Sequence, residues 1–152
     1  MLALPERTGP RPRTSASAPH QQLDQNPAAD VYARFKERAF TFAGVDRRPS
    51  IISVPGAEAL WLTAEPEHRC AEAFMVGNEF AHVHPPTDGS LHLMLPRDDI
   101  GELFAKGWGE PHPMAVLGHI PPTAVMVFAP RDDAEAETVL RIIDRSYRFA
   151  AG

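Results

Sequence analysis

Three histidines lie close together in the stretch HVHPPTDGSLH, residues 82–92, where a turn-forming loop separates two apolar segments. Alternate side chains of a strand share a face, so His82 and His84 project together from one arm of a predicted hairpin and His92 from the other. If the hairpin closes symmetrically, His82 pairs with His92 and His84 with Ser90, with paired Cβ atoms about 4.5–5.5 Å apart. The expected core-facing side chains of the same hairpin are Val83, Leu91 and Leu93.

The chemistry of this patch has more than one interpretation. Neutral imidazoles bind Zn, Fe, Ni or Cu, so His82, His84 and His92 are a candidate ligand set, although no nearby carboxylate has a spacing that completes it. Alternatively, clustered histidines repel each other when protonated, and a neutral imidazole near pH 7 takes a proton from an acidic substrate. A third interpretation is that they are solvated or hydrogen-bonded sheet residues without chemistry.

A second candidate segment is KGWGEPHP, residues 106–113. Gly107 and Gly109 allow a close backbone approach on either side of Trp108, whose indole is a suitable wall for a flat ligand. His112 lies between two prolines that favour an extended backbone, and it is a candidate fourth imidazole or acid/base group. The alternative is that this segment is only a helix C-cap with a buried Trp.

The composition predicts one folded domain. The chain has 152 residues, of which 43% are hydrophobic, and its formal charge of −5 gives no electrostatic case for nucleic acid. The single cysteine, Cys70, excludes an internal disulfide and suits a reducing compartment. No apolar run approaches the roughly 20 residues needed to cross a bilayer. We expect a cytoplasmic protein that binds a small molecule and has no nucleic-acid or membrane partner. The sequence is also compatible with a homo-oligomer.

The predicted elements follow apolar periodicity and turn residues. Residues 1–27 are rich in Pro, Arg, Ser and Gln and are expected to form an extended N-terminal arm. Asn26-Pro27 is expected to cap a first helix that stops at Gly44. Further helices are predicted at about 98–106 and 132–149, each after Pro-Arg-Asp-Asp, where the aspartates are expected to cap. Strands are predicted at 50–54, 59–62, within 70–84 and at 91–95.

This order of elements predicts an α+β fold. We expect a single domain, residues 28–152, with an antiparallel sheet and three helices packed mainly on one face, preceded by the arm.

Three segments resemble the fungal luciferase family and its relatives, the luciferase-domain proteins. The segments are EFAHVHPPTDGSLHLML, KGWGEPHPMA and VMVFAPRDDAEAETV, in the same order and at similar spacing from Glu79 to Tyr147. RTGPRP, residues 7–12, also resembles an element of the family, which favours an arm that packs over the pocket. The chain is interpreted as a bacterial-type soluble member, because the fungal enzymes carry an N-terminal membrane segment that we do not find in it.

The resemblance implies an oxidoreductase that adds O2 to an electron-rich 3-hydroxypyrone or similar enol, with O2 as co-substrate and no cofactor required. It implies that an enolic proton is removed and that a developing anion is stabilised. Carried onto this chain, the catalytic set is His82, His84, His92 and His112. The substrate-binding positions are Trp108, Ser90, Gly107 and Gly109.

Two alternatives stay open beside this enzyme hypothesis. One is a non-catalytic domain that binds a small acidic ligand. The other is a His-ligated metal-dependent oxygenase that uses His82, His84 and His92, in which a transition metal is compatible with the sequence but not favoured.

Overall fold

The computed structural model describes residues 1–152, and it has the predicted α+β architecture. Six strands form one antiparallel sheet in the order β1-β2-β3-β4-β6-β5. The strands are β1 Val45–Pro49, β2 Glu58–Leu62, β3 Glu79–Val83, β4 Leu91–Met94, β5 Gly109–Pro111 and β6 Ala124–Val127. The helices are α1 Ala29–Ala39, α2 Arg97–Ala105, α3 Pro113–Val116 and α4 Asp133–Ala151, with a short 3-10 turn at Ala71–Ala73. None of these helices combines the length and the apolar character that spanning a membrane requires.

The two faces of the sheet have different neighbours. The long helix α4 packs against β3 and β4, and α1 packs against α4. The sheet side chains of the hydrophobic core include Leu60, Ala81, Val83, Leu91, Leu93, Val125 and Val127, all almost fully buried. The register places another row across the other face, formed by Ala59, His82, His92, Met126 and Glu110. The face opposite the α4 core therefore carries the histidines.

The predicted hairpin register is confirmed. His82 pairs with His92 and Val83 with Leu91, and the amide of His84 donates to the carbonyl of Ser90 at 2.9 Å. The loop closes because the amides of residues 88 and 89 both donate to the carbonyl of Pro85 at 2.9 Å. A slip of one residue would send one set of histidines to the core face.

A β-bulge in β3 brings a carboxylate to the histidine face. Leu60 pairs with Ala81, but the next residue of β2, Trp61, pairs with Glu79. Phe80 is thus an extra residue in β3, and it shifts Glu79 to the face that carries Ala59 and His82. Strict alternation along the sequence would have placed Glu79 on the opposite face.

The first helix begins and ends elsewhere than predicted. It starts at Ala29, and the side chain of Asn26 caps nothing but donates to the carbonyl of Asp88 at 2.8 Å. It ends at Ala39, five residues before Gly44, because the hydroxyl of Thr41 donates to the carbonyl of Arg38 at 2.8 Å and competes for the last turn.

The prediction of a strand at residues 50–54, SIISV, is wrong. This segment consists of bends with Ile51 exposed, and the strand that pairs with β2 is the preceding VDRRP of β1. Because β1 lies at the edge of the sheet with mostly exposed side chains, it needs no apolar alternation and gives little sequence signal. The segment before β3 likewise contains the 3-10 turn, and the strand itself begins at Glu79.

The two helices after Pro-Arg-Asp-Asp are confirmed, but only one is capped as predicted. Asp132 accepts from the amide of Glu135 at 2.8 Å and caps α4. Asp99 instead accepts from the amide of Leu2 at 2.7 Å and from Arg145 at 2.5 Å. The repeated tetrapeptide therefore begins a helix in both places through different contacts.

Residues 1–27 lie across the domain without a helix. The amide of Arg7 donates to the carbonyl of Lys106 at 2.9 Å, and the indole N–H of Trp108 donates to the carbonyl of Pro5 at 2.7 Å. The arm thereby covers the end of α2 and the strand that follows it.

We expect Gly109→Ala to destabilise the fold, because a Cβ at this position would overlap the carbonyl oxygen of Met126 and the side chain of Leu103. The expected loss is about 2 kcal/mol or more in the free energy of unfolding, measured by urea denaturation. The matched control is Gly101→Ala, in the middle of α2, where a Cβ meets open space. Alanine should stabilise the helix there by about 0.5–1 kcal/mol. Equal stability of the two variants would contradict the predicted clash.

Candidate functional site: a buried histidine cluster beside a cavity

Five imidazoles converge on the histidine face, and His92 is their centre. Its ring centroid lies 5.0 Å from that of His82, 4.6 Å from His84, 4.1 Å from His112 and 5.0 Å from His20. All five side chains are buried. The structure therefore brings together the four histidines predicted from the sequence and adds His20 from the arm.

A chain of hydrogen bonds joins three of these rings to two carboxylates. Nδ1 of His82 lies 2.8 Å from a carboxylate oxygen of Glu79, and its Nε2 lies 3.0 Å from Nδ1 of His92. Nε2 of His92 lies 2.9 Å from Nδ1 of His20, whose Nε2 lies 2.8 Å from Glu110. Both nitrogens of each of these three rings thus have a polar neighbour.

His84 belongs to a second, shorter branch. Its Nδ1 lies 2.9 Å from the hydroxyl of Ser90 and 3.0 Å from Oδ2 of Asp88. The Ser90 hydroxyl donates to Oδ1 of Asp88 at 2.5 Å. Tyr32 of α1 donates its hydroxyl to the carbonyl of His84 at 2.7 Å, which ties this branch to the first helix.

Burial keeps the central imidazoles neutral. It lowers the pKa of His82, and it lowers the pKa of His92 well below the ordinary value, to which the surrounding histidines add. The pKa of His112 falls to about 4, through burial first and then through His20 and its neighbours. The pKa of Asp88 is lowered despite the opposing effect of burial, because the side chains of His84 and Ser90 stabilise its charged form. These directions favour the neutral form of His82, His92 and His112 and the ionised form of Asp88.

His112 has a defined tautomer. It is the N-cap of α3, where its Nδ1 accepts from the amide of Met114 at 3.0 Å. A neutral ring that accepts at Nδ1 carries its proton on Nε2. His112 therefore offers an N–H donor to a ligand.

A cavity of about 710 Å³ lies beside the cluster. Its polar lining consists of Ser53 and five histidines, His20, His84, His92, His112 and His119. Its apolar lining includes Ile51, Ile52, Val54, Pro55, Met114 and Ile120. The segment that was wrongly predicted as a strand thus supplies the apolar wall. The arrangement suits a small, flat, partly polar molecule whose polar edge meets the imidazoles.

Several predicted site residues do not line this cavity. Trp108 belongs to the hydrophobic core and does not line this cavity, as in the alternative of a buried Trp after a helix C-cap. Gly107, with φ +82°, ends α2 in a Schellman motif, in which the amide of Trp108 bonds to the carbonyl of Leu103. Gly109 allows close packing of β5 on β6. Ser90 is fully buried and positions His84 and Asp88. His82 does not line the cavity either, because it is fully buried with its Nε2 3.0 Å from Nδ1 of His92.

Sequence reasoning missed three members of the network. His20 is the one histidine of the arm, and nothing in its neighbours connects it with a sheet. Glu79 was hidden by the bulge at Phe80. Glu110 lies two residues before His112 and reaches the cluster only because β5 pairs with β6.

The sequence of this chain is similar to those of proteins described as luciferases. Residues 77–146 match the family model described as Luciferase domain, which covers β3, the hairpin and most of α4. The chain is 32% identical over 164 residues to a luciferase of Armillaria ostoyae and likewise to one of Armillaria gallica, which covers 96% of the chain. It is 43% identical over 73 residues to a luciferase of Neonothopanus nambi, which covers 47% of the chain and 27% of that protein. No solved structure matches.

These luciferases are longer than this chain, and they come from fungi. The chain spans 60% of the length of the Armillaria luciferases. These relatives are fungal, so the comparisons do not support the expectation of a bacterial-type member.

We expect His20→Ala to destabilise the protein by about 1–3 kcal/mol, because it removes two buried hydrogen-bond partners and leaves a void beside His92. Thermal unfolding followed by circular dichroism measures the effect. The control is His68→Ala at an exposed position, which should change stability by no more than about 0.5 kcal/mol. If both variants unfold at the wild-type midpoint, the arm does not dock as described.

Proposed function

We propose that this chain, which is similar in sequence to fungal luciferases, is an O2-using oxidoreductase acting on a small enolic or aromatic molecule of the hydroxypyrone class. The observation that carries the proposal is the two-sided cavity, with imidazoles on one wall and aliphatic side chains on the other. A planar enol of this class has a polar edge and an apolar edge that correspond to the two walls.

The proposed reaction begins with loss of the enolic proton to an imidazole nitrogen of the cluster. The enolate carbon then forms a bond to O2, and the electron pair of the enolate reduces O2 to the level of a peroxide attached to that carbon. The substrate is the reductant, so the reaction requires no flavin or other organic cofactor. His112 supports this step, because its Nε2–H donates to a developing negative oxygen.

The proposal also covers the localisation of the protein and its partner. We place the enzyme in the cytoplasm with a small molecule as its partner. Light emission and the natural substrate of the fungal relatives are carried over only as candidates to be tested, since the chain spans 60% of their length. A domain that binds the same ligand without converting it is the competing outcome.

Oxygen uptake with 3-hydroxypyrones tests the proposal. The full chain should consume O2 and incorporate it into product, measured with an oxygen electrode and by mass spectrometry after use of ¹⁸O2. His92→Ala and His112→Ala should each lower kcat about 100-fold or more, because they remove members of the imidazole wall.

The control for this experiment is His68→Ala, which should retain the wild-type kcat because His68 is exposed and outside the cavity. Near-ultraviolet circular dichroism verifies that each variant is folded. Unchanged turnover in both cavity variants would exclude catalysis at this cluster. Saturable ligand binding without any product would favour the binding domain.

A further inference from the structure

We propose that His82, His84 and His92 form a binding site for one divalent first-row transition-metal ion, with Nε2 of His82, Nε2 of His84 and Nδ1 of His92 as ligands. The sequence alone left a metal compatible but not favoured. The arrangement of the side chains around the three rings now favours it, through four independent features.

The first feature is convergence. One ring nitrogen from each of the three histidines lies within 4.8 Å of the other two, and all three residues are buried. Zn–N bonds of about 2.0–2.1 Å place two tetrahedral ligands about 3.3 Å apart. Nε2 of His82 and Nδ1 of His92 are 3.0 Å apart, so small side-chain rotations suffice to seat an ion.

The second feature is the orientation of the rings. Glu79 lies behind Nδ1 of His82, and Asp88 with Ser90 lies behind Nδ1 of His84. A carboxylate in this position holds the proton on Nδ1 and leaves the Nε2 lone pair free. This carboxylate–histidine arrangement is typical of metal ligands, where it fixes the tautomer and raises the basicity of the ring.

The third feature is the way in which His82 and His92 face each other. Nε2 of His82 and Nδ1 of His92 point toward each other, while the second nitrogen of each ring lies at hydrogen-bond distance from another side chain, Glu79 for His82 and His20 for His92. The two facing nitrogens are therefore the ones available to an ion.

A metal ion between His82 and His92 satisfies every contact. His82 then donates from Nδ1 to Glu79 and binds the ion through Nε2. His92 binds through Nδ1 and donates from Nε2 to His20, which donates from its own Nε2 to Glu110.

The fourth feature is charge. Glu79 and Asp88 are almost fully buried, and neither forms an ion pair with a lysine or an arginine. Oδ2 of Asp88 lies 3.0 Å from Nδ1 of His84 and has no hydrogen-bond partner. Buried carboxyl groups without a lysine or arginine partner are costly when ionised, and a divalent ion bound by the neighbouring rings would supply compensating positive charge.

The chemistry of the donors indicates the class of ion. Three neutral imidazole nitrogens suit Zn, Fe, Co, Ni or Cu rather than Mg or Ca, which prefer oxygen. Three protein ligands leave coordination positions open on the side of the cavity, which His84 and His92 line. The site itself does not depend on the proposed activity, whereas a role for the ion as a Lewis acid toward an enolate oxygen rests on the proposed function.

A titration with Co²⁺ tests the site directly. The full chain is dialysed against a chelator, transferred to chelator-free buffer and titrated with Co²⁺ alone, with visible absorption as the readout and Zn²⁺ as the competitor. We expect saturation at one ion per chain with an absorption band of nitrogen-coordinated Co²⁺. His84→Ala and His92→Ala should weaken binding at least 100-fold.

Two isosteric variants distinguish a loss of metal binding from a loss of the folded structure. Glu79→Gln and Asp88→Asn keep the side-chain size but remove the second-sphere charge, and each should weaken Co²⁺ binding about 10–100-fold. The matched control is His68→Ala, at an exposed position outside the cavity, which should leave affinity unchanged. Absence of saturable binding, or equal binding by all variants, would overturn the proposal. The titration contains no enol, so failure to bind Co²⁺ would overturn the metal site without deciding whether the protein consumes O2.

Discussion

The pairing of β3 with β4 in a single register is the constraint on which the site depends. It sets His82 opposite His92 and His84 opposite Ser90, and at the same time it turns Val83 and Leu91 into the core. The polar and apolar requirements select the same register, because a slip would turn polar imidazoles toward α4 and aliphatic side chains away from the core. The core under α4 thus stabilises the geometry of the imidazoles above it.

Much of this arrangement could be predicted from the sequence, because period-two alternation and a turn rich in Pro and Gly determine a hairpin locally. The helices after Pro-Arg-Asp-Asp were predictable for the same reason. The remainder depends on contacts between distant residues. The bulge at Phe80 breaks the alternation, and the edge strand β1 has no apolar pattern of its own.

Trp108 and SIISV show the same ambiguity in a sequence. Large apolar residues beside flexible backbone suit either a core or a cavity wall, and the sequence does not distinguish the two. Trp108 lies in the core and donates a hydrogen bond to the carbonyl of Pro5, whereas Ile51 and Ile52 of the irregular loop line the cavity.

The position of His20 in the arm has a consequence for how the molecule matures. Residues near the start of the chain leave the ribosome before β4, β5 and β6 exist, yet the partners of His20 are His92 and Glu110 on that later part of the sheet. The arm can therefore dock only after these later strands have joined the sheet. Assembly of the complete histidine cluster is then a late event in biogenesis, because it requires the arm to dock on the closed sheet.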